Sequence, residues 1–237
     1  MLSVFFFIEI YKISKMKNFL NIIFFVIFFS ANAQAIRPFF ALGVDKSNQF
    51  ASDGYINFAM GVEVKALGFL HPQIEAAYTF GVFNEDNSFD DNFKINSVSQ
   101  AKFESYSFGC TPKILIYRDE KGYYSFNLLP KYTYSNVWGS NIFANIDQEG
   151  YTLQPSIESN VTSSIHSFGI GVGFSVNFSK KNYDTMAINI YLNNIEYGQV
   201  LNQLKNMDRI VNSASNVGFG LTYYFSLKNN IEKGFID

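Results

Sequence analysis

The chain has 237 residues, with 27 Phe, 15 Tyr, a charged fraction of only 16% and a formal net charge of −2 at pH 7. That length allows one or two domains or a single large β domain, and the charge balance supplies no basic field for nucleic acid. A single cysteine, Cys110, excludes an internal disulfide and a multi-cysteine metal site; low charge with many aromatics points to lipid contact.

The first expected element is an export signal over 1–35, with the true start at Met16. Lys17 gives a basic head and 19–29 an apolar run. Ser30-Ala31-Asn32-Ala33-Gln34-Ala35 then offers small-x-small cleavage after Ala33 or Ala35. The apolar run falls short of the roughly 20 residues a spanning helix needs. No cysteine stands at the cleavage position for a lipid anchor.

Beyond residue 35, apolar and small residues alternate with a period of two, the pattern of strands with unlike faces. Eight strands are expected: 36–44, 55–67, 72–83, 103–117, 123–138, 164–178, 185–197 and 216–225. The sixth is the clearest. Phe168, Ile170, Val172, Phe174, Val176 and Phe178 share one side; Ser167, Gly169, Gly171, Gly173, Ser175 and Asn177 share the other. Pro112 and Pro130 remove ladder donors, so a bulge or local break is expected there. Short connections (68–71, 118–122, 179–184) alternate with long ones (45–54, 84–102, 139–163, 198–215), as in membrane barrels of even strand number. The expected class is all-β, an eight-stranded antiparallel up-and-down transmembrane β-barrel over 36–225, followed by a short tail, 226–237.

Alternation alone does not say which face is inside. A soluble ligand-binding barrel would carry Lys and Glu on its polar face. Here that face is Gly, Ser, Thr, Asn and Ala, for example Ala41, Gly43, Asn57, Ala59, Gly61, Ala77, Thr79 and Gly81. Small residues fit the narrow interior of an eight-stranded barrel. The apolar face carries no mid-strand charge, as lipid requires. Tyr124, Tyr132, Tyr134, Trp138, Tyr223 and Phe225 stand near the expected strand ends, where interfacial aromatics belong.

In the last strand Asn216, Gly218, Leu221, Tyr223 and Phe225 form a polar-x-Gly-x-x-apolar-x-aromatic pattern. It resembles the signal read by outer-membrane assembly machinery. With this, residues 36–225 resemble the OmpA/OmpW-type outer-membrane β-barrel domain common in Bacteroidota, a resemblance of architecture. It implies an outer-membrane location in a Gram-negative bacterium, contact with outer-membrane lipid and lipopolysaccharide, and passage through the assembly machinery. The tail departs from barrels that stop at the terminal aromatic, and it is too short for a peptidoglycan-binding domain.

Six charges fall on the small-residue face: Arg37, Glu63, Lys65, Glu75, Lys113 and Lys131. A turn centred near Phe69 would set Glu63 almost opposite Glu75, which demands cations nearby. The expectation is an interior salt-bridge network closing the lumen, an arrangement the resemblance also implies. Ser164, His166 and Glu196 share the outward parity at the top of strands six and seven. A nucleophile, base and acid so placed would suit acyl transfer, and they resemble the site of outer-membrane lipid A deacylases. The order is Ser-x-His where that family has His-x-Ser, however, and the spacing to Glu196 is wider; three polar residues at a strand rim, where polar groups belong, are the preferred reading.

Glu85, Asp86, Asp90 and Asp91 fit no regular calcium loop and read as a solvated acidic loop. His71, expected in a short turn, has no Cys or His partner for zinc. Gly169-Ile170-Gly171-Val172-Gly173 is strand alternation without the helix start of a nucleotide site. No cofactor is expected. Aromatic residues in the long loops (Phe89, Phe93, Phe143, Tyr151) offer contact points for an extracellular partner of unspecified identity. The expected function is structural or adhesive, with no enzymatic activity. Narrow transport of small apolar molecules to a lateral opening, in the manner of OmpW, stands first among the alternatives; lipid A acyl hydrolysis and soluble periplasmic ligand binding follow.

Overall fold

The computed structural model describes residues 36–47, 54–83, 85–147, 152–153, 156–178, 184–206 and 216–225. The expected signal (1–35) and tail (226–237) lie outside them. Among the described residues the elements are β1 (Ile36–Ser47), β2 (Gly54–Val64), β3 (Leu70–Val82), β4 (Asp86–Phe89), β5 (Ile95–Arg118), β6 (Tyr124–Asp147), β7 (Thr152–Leu153), β8 (Ile157–Asn177), β9 (Thr185–Asn194), the helix α1 (Gly198–Leu201) and β10 (Asn216–Tyr224).

Eight strands close on themselves in the order β1-β2-β3-β5-β6-β8-β9-β10, with β10 pairing back onto β1, and every pair is antiparallel. Short β4 and β7 add to β5 and β6 outside this ring. Facing residues lead once round the ring from Arg37 through Glu63, Gln73, Thr111, Lys131, Gly169, Asn193 and Asn216 to Ser47, with Thr111 set opposite Lys131 across a break in the β5–β6 ladder. The circuit ends ten residues beyond its start, and such a stagger over eight strands tilts them by about 40°.

The two faces separate as the alternation requires. Phe40, Leu42, Met60, Ile74, Phe108, Phe168, Ile170, Val172, Ile188, Leu192, Phe219 and Leu221 are all exposed, on the outer wall. Ala59, Ala77, Ser105, Ser107, Ser135, Ser175 and Ala187 are buried inside. Soluble monomers rarely expose contiguous apolar patches beyond a few hundred Å², so a belt of this width is unusual for a solvated protein. Along its upper edge, Phe58, Phe80, Tyr78, Tyr106 and Trp138 form a row, neighbouring ring centroids lying 5.0–6.3 Å apart.

Strand lengths differ from the expectation. β5 and β6 each run 24 residues and β8 runs 21. At ~3.3 Å per residue and the tilt above, 24 residues rise about 60 Å, roughly twice an apolar band of about 25 Å. Tyr134 and Trp138 therefore sit within β6 instead of near its end. Level with Trp138 the facing residues are Glu104 and Thr162, and above it the outward positions are mostly polar: Gln100 and Lys102 on β5, Ser140 on β6, Glu158 and Asn160 on β8, with Ile142 the apolar one on β6.

Two local departures have clear causes. Pro112 faces Pro72 across β3–β5, and the β5–β6 ladder is interrupted between Cys110↔Tyr132 and Ile114↔Leu128, the stretch that holds Pro112 and Pro130. Proline has no N–H to give, so the expected break occurs there; a separate register shift follows between Leu115 and Tyr117. In the β2–β3 turn, Ala66 N and Leu67 N both donate to Leu70 O, at 3.2 and 3.1 Å. This centres the turn on Gly68 and moves the register by two residues. Glu63 thus faces Gln73, and Glu75 faces Gly61, so the two carboxylates are not opposite each other.

Candidate functional site

The lumen is the place where charge, polarity and packing converge, at three levels. At the lower level Glu63, 1% exposed, is the hub. It accepts from Arg37 Nε at 3.0 Å, from Gln73 Nε2 at 2.9 Å and from Lys113 Nζ at 2.9 Å, and the Arg37 Nη2 group also pairs with it. Gln73 Nε2 donates in addition to Tyr224 OH at 2.8 Å, and Lys113 Nζ stands 4.3 Å above the Tyr224 ring. Arg37 Nη1 donates to Thr185 Oγ1 (3.1 Å), whose hydroxyl donates to Asn177 Oδ1 at 2.5 Å. The network draws on β1, β2, β3, β5, β8, β9 and β10. His71 lies in β3, not in a turn, with Nδ1 3.8 Å from Glu63 Oε1. Lys65 follows the last residue of β2 at the same rim.

At the middle level Lys131 pairs with Glu75 and lies 5.3 Å from the centroid of the Tyr191 ring. Gly109 makes room for that carboxylate: a Cβ there would come within 2.9 Å of Glu75 Cγ. Asp45, placed by the sequence in a loop, is instead an inward residue of β1 and accepts from Asn193 Nδ2 at 3.1 Å. Five of the six expected lumen charges are thus divided between a Glu63 cluster, with Arg37 and Lys113, and a Glu75–Lys131 pair, while Lys65 stands at the rim.

At the upper level the interior becomes apolar. After β9 the chain turns inward, and Tyr197, Val200, Leu201 and Leu204 pack against Tyr55, Phe83, Ala101, Phe103, Val137 and Ile165 of the wall. Tyr197 meets Tyr55 edge-on at 5.4 Å and Phe103 at 4.7 Å. Burial, then the Asp45 carboxylate, pushes the Tyr197 phenol well above its ordinary value, while Thr79 and Ser105 share hydrogen bonds with it. The segment is tied to the wall as well: Asn141 Nδ2 donates to Lys205 O (3.1 Å) and Asn206 O (2.9 Å), and Lys205 N donates to Ser159 Oγ at 3.0 Å. Gly139 leaves space for it, since a Cβ there would lie 2.7 Å from Leu201 Cδ2. The spacing of Tyr197, Leu201 and Leu204 was the available sequence signal for this inward face.

The outward polar residues do not assemble as a relay. Ser164 Oγ donates to Asn136 Oδ1 at 2.6 Å and accepts from Tyr134 OH at 3.1 Å, and His166 Nδ1 is 2.7 Å from Tyr132 OH. Glu196, expected across from His166, lies past the end of β9, where its carboxylate takes a hydrogen bond from Gln199. The β10 residues Asn216, Gly218 and Tyr224 face inward, with Asn216 Nδ2 donating to Tyr55 OH at 2.8 Å, whereas Leu221 and Phe225 are exposed. Tyr223 OH donates to Asp184 Oδ2 at 3.1 Å. In the acidic loop, Asp90 Oδ1 accepts from Asn92 N (2.9 Å) and Lys94 N (2.8 Å), shaping the turn that presents Phe93 at positive φ. Among the described residues, no group of His, Cys, Asp and Glu is placed to hold a metal ion.

No family model matches the chain, and no curated protein does. Among solved structures it is similar to Ail, the attachment invasion locus protein of Yersinia pestis, at 11% identity and a TM-score of 0.38, over 81% of this chain and 96% of that one. Neisserial surface protein A gives 8% and 0.37 over the same shares. A major outer membrane protein of Thermus thermophilus gives 9% and 0.43 over 81% of this chain and 100% of that one. At such identities the likeness concerns the fold alone.

Proposed function

We propose that the protein is an integral outer-membrane barrel with a closed lumen, whose role is interaction at the cell surface. The observation that carries this is the division of one continuous wall into two zones. Below Tyr106 and Trp138 the outer face is apolar except for the Asn136, Ser164 and His166 patch. Above them β5, β6 and β8 continue as a sheet whose outer face is largely polar and beyond the reach of lipid. Phe93 at its tip is 89% exposed, beside the acidic Asp90 and Asp91. The export signal, the β10 pattern and kinship with OmpA/OmpW-type barrels belong to the same reading. So do passage through the assembly machinery and a bed of lipopolysaccharide. Closure rests on the Glu63 network below and the Tyr197–Leu204 segment above.

Surface labelling tests the orientation. In a Cys110→Ser background, Phe93→Cys on intact cells should react with a membrane-impermeant maleimide, and Lys121→Cys should react only after lysis. The reverse pattern would overturn the reading. In planar bilayers the parent should show no steady conductance.

One observation favours narrow transport as a second reading: the upper lumen is apolar, and above Phe168 the β9 side of β8 has no ladder partner among the described residues. Uptake of a small apolar solute that rises on truncating Leu201 would support it.

A further inference from the structure

The middle of the lumen carries more negative than positive charge. A cavity of about 50 Å³ opens there, lined by Asp45, Asn57, Glu75, Lys131, Asn193 and Thr222, among others. Lys131 is engaged with Glu75. Asp45 is 6% exposed and, among the described residues, has Asn193 as its sole hydrogen-bond partner and no cation within ion-pair distance. Two carboxylates thus share one ammonium, and a buried carboxylate left without a counter-charge is strongly unfavourable.

The surroundings offer what would remedy this. Asn57 gives its amide nitrogen to Thr79 Oγ1 at 3.2 Å, which leaves its carbonyl oxygen without a partner among the described residues. The chamber wall is kept bare by Gly43 and Gly220. A Cβ on either would meet nothing nearer than 3.5 and 3.8 Å, so neither glycine is demanded by close packing. A space of this size takes roughly three water-sized occupants. All the donors are hard oxygens, which select alkali and alkaline-earth ions over soft metals. The single uncompensated charge selects a monovalent ion. We propose that the chamber binds one partly hydrated alkali-metal cation, of the Na⁺ class, through Asp45 and Asn57.

The test uses the full chain refolded in detergent micelles, with urea unfolding followed by heat-modifiable gel mobility and tyrosine fluorescence. NaCl is compared with choline chloride at equal ionic strength, since a quaternary ammonium does not fit the chamber. The parent should unfold at higher urea in NaCl. Above half-saturation, each tenfold rise in Na⁺ should raise the folded-to-unfolded ratio about tenfold. The Na⁺ increment should vanish in Asp45→Asn. Equal midpoints for the parent in the two salts would overturn the proposal, as they would if Asp45 were simply protonated; so would an undiminished increment in Asp45→Asn. Should that variant fail to refold, Gly220→Val fills the chamber with the carboxylate intact. Loss of the increment there supports the site, and its retention overturns it.

Discussion

Glu63→Ala is the sharpest probe of the lower lumen. The substitution strips the counter-charge from Lys113, 3% exposed, and from Arg37, and removes an acceptor from buried Gln73. Removing one partner of a buried ion pair costs ~3–5 kcal/mol. Because the Arg37 side chain is 22% exposed, water re-solvates part of its charge, and the lower end, ~3 kcal/mol, applies. With a urea slope of ~2 kcal/mol per molar, the unfolding midpoint falls by ~1.5 M. Refolding in micelles and heat-modifiable mobility across a urea series read this directly. The triple variant Arg37→Met, Glu63→Leu, Lys113→Met removes every charge together and should recover most of the loss, since replacing a buried ionic cluster by apolar residues is close to neutral. An unchanged midpoint for Glu63→Ala, or a triple variant weaker than the single one, would refute the assignment of Glu63 as the hub.

Other expectations follow from the same geometry. Gly139→Val drives a side chain into Leu201, and should release the 198–206 segment, seen as new protease cleavage there and as conductance absent from the parent. Gly61→Ala drives a Cβ into the Ile74 carbonyl oxygen and should abolish refolding, whereas Gly68→Ala meets nothing within 4 Å and should leave it unchanged. Ile190→Arg, on the exposed apolar wall, should cost about 2–4 kcal/mol in a lipid bilayer; Asn160→Arg, above Trp138, should fall within about 0.5 kcal/mol of the parent. Both are measured by urea titration in vesicles.

The sequence discloses the barrel wherever its two faces differ in chemistry. Phe168 to Phe178 alternate against Gly and Ser because one side is the exposed apolar outer wall and the other a cramped lumen. Above Trp138 that contrast ends. On β5 Gln100 and Lys102 point out while Ala101 and Phe103 point in, so the alternation reverses its polarity and does not extend the apolar-out pattern that marks the wall below. The lumen charges are visible by parity, but their partners depend on register, and a turn centred on Gly68 instead of Phe69 exchanges Glu75 for Gln73 opposite Glu63. Tyr224 by parity and Tyr197 by its spacing with Leu201 and Leu204 are marked as inward, but only the closed ring shows that they complete the interior.

The β5–β6 hairpin carries one further consequence, a mechanical one. Its ladder extends from Ser97↔Asn145 near the tip to Arg118↔Ser125 beside the β5–β6 turn, interrupted only at the proline pair and the shift just below it. Hydrogen bonds in an antiparallel pair lie perpendicular to the strands. A pull on the tip along the strand axis therefore loads them in shear, many at once, and passes the tension into the closed barrel wall. An attachment made at Phe93 would be anchored by the whole barrel instead of by a loop.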